Sequence, residues 1–243
     1  MAEPRVLTFD VVGTLIDFET GILRFLRDRC GQATRGLSDT AILDPYRAAR
    51  SRPGVILFPD DLEPLYLTIA PQLGLPEGAK IARDFAQDAR NWPAFPDSVA
   101  ALARLKARYK LVAMTNARRW ALEAFQATLG HPFHDTVAVD DALCEKPDEK
   151  FFAFTRGRLS RDGFLMGDIL HVAQSQYHDI GVARRLGYTV CWIERRMGQG
   201  AGGTIEAAEQ TVPDYHFATL GELADLADAG NLQMIDTRHR EAR

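Results

Sequence analysis

The residues able to do chemistry stand at the ends of short apolar runs. Residues 6–17, "VLTFDVVGTLID", deliver Asp10 from a β-prone run into a glycine turn that carries Thr14. A carboxylate at the end of a buried strand is costly unless something uses it. Followed by Gly13 and Thr14, it suits a nucleophile that attacks carbon or phosphorus and leaves an ester for water to cleave. The glycine lets the backbone approach a substrate, and the Thr14 hydroxyl is placed to donate to the carboxylate. A turn-forming or capping aspartate is the alternative reading of the same residues. Similar polar groups end later apolar runs: Thr115 with Asn116, Asp140 with Asp141, and Gln174 with Ser175.

These groups need a scaffold that brings strand ends together. After "RVLTFDVV", four runs read as strands: "YKLVAMTNA" (109–117), "TVAVDDA" (136–142), "DILHVAQS" (168–175) and "YTVCWIER" (188–195). Between them lie helical patterns such as "DSVAALARLKARY", with Val99, Leu102 and Leu105 at helical spacing and Asp97 or Ser98 as cap. Strand–helix repetition predicts an α/β fold with a doubly wound parallel sheet, whose chemistry lies beyond the carboxyl ends of the strands. Residues 17–93 break the alternation with four helical patterns and no convincing strand. The expected organisation is therefore an α/β core from residues 1–16 and 94–230, an inserted all-helical cap over 17–93, and a tail at 231–243.

Composition removes several function classes. The chain has 243 residues, a net charge of −4 without a basic stripe, and no apolar run near the ~20 residues a bilayer needs. Nucleic-acid and membrane partners are not expected. "MAEPRVLTFD" lacks signal-peptide zones, so the cytoplasm is the expected location. Cys30, Cys144 and Cys191 are widely spaced and read as buried small apolar residues rather than a disulfide framework or zinc site. The two histidines of "HPFH" (131–134) flank a proline that argues against a continuous helix and a metal site.

Four ordered motifs resemble those of the haloacid dehalogenase (HAD) superfamily: "FDVVGTLID", "AMTNA", "EKPDEKFF" and "DILHVAQSQYHDIGVARRLG". The helical insertion lies where such proteins carry a cap on their Rossmannoid core. "LIDFETGI", "NWPAFPDSVAAL" and "SQYHD" more narrowly resemble type II 2-haloacid dehalogenases and azetidine-2-carboxylate hydrolases. The resemblance implies Asp10 as nucleophile, with Lys146 holding it ionised and orienting the second step, and Asp179 as the base for water. Thr14, Asn116 and Ser175 complete the expected catalytic set. Ser175 is expected to bond water or the catalytic carboxylates, while His178 is either a helix cap or catalytic. Thr115 and Asn116 supply donors to a substrate carboxylate, and Val12 faces the substrate.

Phosphatase relatives carry a second aspartate two residues after the nucleophile, where this chain has Val12, which cannot move a proton. Gln174 stands where magnesium-dependent relatives have a coordinating carboxylate. Both departures argue against phosphoryl transfer, and no metal or cofactor is expected. From the cap, the resemblance assigns the leaving halide to an arginine after an aromatic residue: Arg47 follows Tyr46, and Arg50 lies one turn on. Tyr66 and Trp92 are candidates for an apolar pocket wall, with a place in the helical core as the alternative reading. Val12 in place of a common tyrosine and Thr115 in place of the usual serine depart from the dehalogenase pattern. The expected activity is metal-independent hydrolysis of small 2-substituted carboxylic acids. Azetidine ring opening, a magnesium phosphatase and a non-catalytic binding module remain alternatives. The family also implies a homodimer formed through the cap.

Overall fold

The computed structural model describes residues 2–51, 56–197 and 207–235. Six strands form one sheet: β1 (Val6–Phe9), β2 (Lys110–Met114), β3 (Asp135–Val137), β4 (Ile169–Ala173), β5 (Thr189–Ile193) and β6 (Tyr215–Phe217). Their order is β3-β2-β1-β4-β5-β6 and every pairing is parallel. Parallel strands need covered faces, which explains why β1, β4 and β5 are buried along their whole length and read as continuous apolar runs. The chain leaves β1 for β2 and β3 on one side, then returns to β4 on the other. That reversal places a crevice beyond the carboxyl end of β1, where Asp10 follows.

Between β1 and β2 come α1 (Phe18–Arg29), α2 (Gly31–Thr34), α3 (Asp39–Arg50), α4 (Leu62–Leu73), α5 (Ala79–Gln87) and a 3₁₀ turn at Asp88–Asn91. Asp17 caps α1 by accepting from the Thr20 amide at 3.0 Å, and Ser38 caps α3 through Ala41 at 3.1 Å. The chain enters and leaves this helical layer through a short antiparallel contact, with Asp17 N–H donating to Pro93 C=O at 2.8 Å and Phe95 N–H to Leu15 C=O at 3.0 Å. "NWPAFPD" thus forms the return strap. The two α/β-side helices that follow are α6 (Ser98–Lys106) and α7 (Arg119–Thr128); α8 (Val139–Ala142), α9 (Glu149–Arg161), α10 (Gly181–Arg185) and α11 (Leu220–Asp228) complete the molecule.

Two expectations about elements change. The run 136–142 is not one strand: β3 ends at Val137 and α8 begins at Val139, because the Asp141 carboxylate accepts the Ala138 amide at 2.7 Å and starts a helix. Strand β6 lacks a strong sequence signal, since it has three residues with an exposed histidine at its centre. Of the tail, residues 236–243 lie outside the described region.

Candidate active site

Asp10, Lys146 and Asp179 meet at the carboxyl end of the sheet. The Lys146 ammonium donates to Asp10 Oδ1 at 2.9 Å, to Asp179 Oδ1 at 2.6 Å and to the Met114 carbonyl at 2.8 Å. All three residues are buried. Thr14 donates its hydroxyl to Asp10 Oδ2 at 2.6 Å and accepts the Gln174 amide at 2.9 Å, so both Asp10 carboxylate oxygens are held. The turn between Asp10 and Thr14 uses Gly13 at φ +87°, a left-handed conformation that favours glycine. Asp179 arrives on a π-helical turn over Gln176–Ile180, a geometry frequent at functional sites.

The cluster carries one positive and two negative charges, and its ionisation follows from that imbalance. Burial pushes the Asp10 carboxyl above its ordinary value, aided by the charge on Asp179 and opposed by Lys146 and Thr14. Lys146 opposes that rise by pairing with Asp10, and it shares its charge with Asp179. Burial disfavours the Asp179 anion too, but Lys146 and a hydrogen bond from His171 outweigh it and bring its carboxyl down to about 2. Burial likewise opposes the Lys146 charge, yet its two carboxylates raise its value above that of an ordinary lysine. Asp179 Oδ2 is buried and takes no hydrogen bond from any described group.

A small cleft opens over this cluster. Asp10, Lys146, Asp179, Val12, Thr115 and Asn116 line its floor, along with Gln174, Ser175 and His178. Phe18, Tyr46, Arg50 and Phe58 close it from the helical layer.

Some expected site residues are engaged elsewhere. The Asn116 side chain donates to the Lys146 carbonyl at 2.8 Å and accepts the Lys146 amide at 2.7 Å, so its amide group fixes the lysine's backbone. Thr115 Oγ1 accepts the Ala117 amide at 3.2 Å. Ser175 Oγ caps the π turn through the His178 amide at 2.9 Å and lies 3.1 Å from His178 Nδ1, rather than bonding the carboxylates. Burial, with help from the Lys146 and Arg50 charges, lowers the His178 imidazole to about 4. Asp140 accepts the Arg119 amide and serves the loop.

Three residues assigned to the pocket lie away from it. Arg47 pairs with Glu19 at 2.6 Å and Asp44 at 3.0 Å, and is not part of the cleft lining. One turn on, Arg50 reaches the cleft, paired with buried Asp61 and seated 5.3 Å over the Phe58 ring. The register of α3 thus selects the second arginine. Tyr66 points into the helical layer, where its hydroxyl donates to the Pro76 carbonyl at 2.9 Å. Trp92 packs on Phe58, Phe18 and Phe125 with ring centroids at 5.5, 6.3 and 6.3 Å. Gly21 makes room for it: a Cβ there would stand 2.3 Å from the indole. Phe18 and Phe58 join the lining without having been assigned to it, because nothing in the sequence marks which aromatic residue faces a cleft; Gln174 lines it as a strand-end group. His171 is also missing from the sequence reading, although it touches Asp179.

Among the described residues, no group of three or more His, Cys, Asp or Glu side chains is placed to hold a metal. The donors at the HAD metal position do not suit magnesium: Gln174 is neutral, and Lys146 already neutralises much of the charge on Asp10 and Asp179. No described helix is long and apolar enough to cross a membrane.

Comparison with known proteins agrees with this architecture. Residues 4–187 match the model of the haloacid dehalogenase-like hydrolase family. An (S)-2-haloacid dehalogenase of Pseudomonas putida, H-109, is 26% identical over 156 residues, covering 63% of this chain and 65% of that protein. The chain therefore spans somewhat under two thirds of that curated relative. In fold, it is similar to the L-2-haloacid dehalogenase of Xanthobacter autotrophicus, with a TM-score of 0.73, 21% identity and 93% and 99% of the two chains covered. It is similarly close to a HAD-hydrolase of Bacillus subtilis bound to magnesium, with a TM-score of 0.74, 17% identity and the same coverage. The shared fold does not decide the chemistry, but the family match spans most of the chain. The protein belongs to the haloacid dehalogenase-like hydrolase family.

Proposed function

We propose that the protein hydrolyses small 2-substituted carboxylic acids, with 2-haloacids as the leading class, through an ester on Asp10 and without a metal ion. One observation carries this reading: the Lys146 ammonium bridges Asp10 and Asp179 beneath a small cleft where Val12 and Gln174 replace two acids needed for phosphoryl transfer. A halide leaves without a proton, so a site lacking a second aspartate is competent for displacement at carbon. The curated relative's printed name, (S)-2-haloacid dehalogenase, points to the same class.

In the first step an Asp10 carboxylate oxygen attacks C2 from the side opposite the leaving group. The C–O bond forms as the carbon–halide bond breaks, and C2 inverts. Arg50 stands on the cap side of the cleft, where its guanidinium attracts the departing anion. Water then attacks the Asp10 ester carbonyl and gives its proton to Asp179. Lys146 and Thr14, already at the Asp10 oxygens, stabilise the developing oxyanion. Collapse of that intermediate breaks the ester C–O bond, the departing alkoxide takes the proton back from Asp179 to become the 2-hydroxy acid, and one water oxygen remains in Asp10.

Ring opening of an azetidine acid needs a proton for the departing nitrogen. His178 lines the cleft, but with its imidazole lowered to about 4 it is a poor acid at neutral pH. The haloacid reading is therefore preferred. It is tested by one turnover of (S)-2-chloropropionate in heavy-oxygen water with EDTA, followed by intact mass analysis. Chloride release with heavy oxygen in Asp10, both absent in Asp10→Asn, is the expected result. Loss of activity with EDTA, or label only in the product, overturns it.

A further inference from the structure

His171 lies inside the sheet, fully buried and outside the cleft lining. In the β1–β4 register it stands opposite Thr8, and its Nδ1 lies 2.9 Å from Thr8 Oγ1. Its Nε2 lies 3.1 Å from Asp179 Oδ1. The surrounding layer is apolar: Phe152 meets the imidazole edge-on at 5.5 Å and Tyr188 at 6.3 Å. A polar ring in such a layer is unfavourable unless both nitrogens are engaged. An ionised carboxylate only accepts, so Nε2 must carry a proton and donate it to Asp179. In the neutral ring, Nδ1 then accepts the Thr8 hydroxyl proton.

Asp179 Oδ1 is thus held from two directions, by Lys146 at 2.6 Å and His171 at 3.1 Å. Its other oxygen, Oδ2, has no described partner. Rotation of the carboxylate would forfeit both bonds to Oδ1, so the bare oxygen is fixed in one direction.

Building on the dehalogenase-type reading above, we propose that His171 is a positioning residue for the hydrolytic step, holding the Asp179 carboxylate in the one orientation from which it takes the proton of the attacking water. Alkylation of Asp10 does not require Asp179 as a base, whereas ester hydrolysis does. Loss of His171 should therefore separate the two steps.

The test uses His171→Phe, which fills the space without a donor, His171→Gln, whose amide restores one, and Thr8→Val, which leaves the ring but removes its support. With (S)-2-chloropropionate under rapid quench, His171→Phe should form the Asp10 ester at near wild-type rate and hydrolyse it about 10–100-fold more slowly, by analogy with the loss of a group that orients a metal ligand. His171→Gln should recover much of that loss, and Thr8→Val should slow hydrolysis by a smaller factor than His171→Phe. Equal slowing of both steps, no rescue by glutamine, or no change overturns the proposal. Carbon-13 titration of the Asp179 carboxyl needs no substrate. An upward shift in His171→Phe, reversed in His171→Gln, is expected, and an unmoved carboxyl overturns the proposal. If the wild type releases no chloride, the haloacid reading fails while this titration still decides the role of His171. If His171→Phe does not fold, Thr8→Val supplies both readouts.

Discussion

Two ion clusters grip opposite ends of the same turn, and they are built differently. Asp97 and Arg195 form a balanced pair: Arg195 Nη1 meets both Asp97 oxygens at 2.8 and 2.9 Å, and its Nε donates to the Thr14 carbonyl at 2.9 Å. Asp97 also accepts the Leu220 and Gly221 amides at 2.6 and 3.1 Å, at the start of α11. Burial raises the Asp97 carboxyl, but Arg195 and these amides outweigh it and leave it below the ordinary range. Around Lys146, by contrast, one cation serves two buried carboxylates, Asp10 is pushed upward and Asp179 Oδ2 takes no hydrogen bond from any described group. The first cluster ties the strap, the turn and α11 together with its charge satisfied. The second retains an excess negative charge, as the proposed nucleophile and base require.

The largest effects should come from breaking that imbalance in opposite directions. Asp10→Asn leaves Lys146 and Asp179 as a neutral pair. It should abolish turnover while raising unfolding stability by about 1 kcal/mol, measured by urea denaturation beside chloride release. Lys146→Met leaves two facing buried carboxylates. It should cost about 3–5 kcal/mol of stability and eliminate ester formation. A destabilised Asp10→Asn would show that the excess charge is not a strain on the fold. In the balanced cluster, Arg195→Met should cost about 2 kcal/mol, less than a fully buried pair because Asp97 is partly exposed. Its kcat should fall less than tenfold, since Thr14 keeps its bond to Asp10.

This contrast explains what the sequence could and could not reveal. Asp10, Lys146 and Asp179 are legible because each stands at a strand end or in a short ordered motif, and the doubly wound sheet brings such ends together. The helical insertion is legible from its missing strand pattern. Arg50 rather than Arg47 is a matter of one helical turn, decided by how α3 seats on Phe58 and Asp61. Tyr66 and Trp92 look like pocket residues because a core aromatic and a cleft aromatic share the same periodicity. His171 sits within an apolar strand run, and only the register with Thr8 and the π turn carrying Asp179 give it partners. The upward shift of Asp10 depends on three side chains brought together from distant positions, so no local motif encodes it.

The charge imbalance also sets a pH signature. Asp10 must be ionised to attack, so the acid limb of kcat/KM should lie above 3.8, the unshifted aspartate value. For stability the signs oppose. A carboxyl raised by folding disfavours the native state when ionised, so Asp10 makes the fold more stable as pH drops through its raised value. Asp179, held at about 2 against 3.8 unshifted, contributes stability above 3.8 that is lost as pH falls toward 2. Asp10→Asn should remove the first slope and keep the second in pH-dependent denaturation. A wild-type acid limb at or below 3.8 would place Asp10 in the ordinary range.

The smallest effects should separate the two arginines of α3. Arg50 faces the cleft, so Arg50→Gln should raise KM for a haloacid by about tenfold, the effect of losing roughly 1.4 kcal/mol of binding. Arg47 spends its guanidinium on Glu19 and Asp44, and Glu19 also holds Arg196 at 2.7 Å. Arg47→Gln should therefore leave KM and kcat within about threefold and cost no more than about 1 kcal/mol, because Arg196 still pairs with Glu19. A sharp KM increase in Arg47→Gln alone would mean that Arg47 leaves Glu19 and Asp44 and reaches the cleft when substrate binds. Equal increases in both variants would instead point to the electrostatic field of the whole helix end, since the two side chains face different surroundings in the free protein.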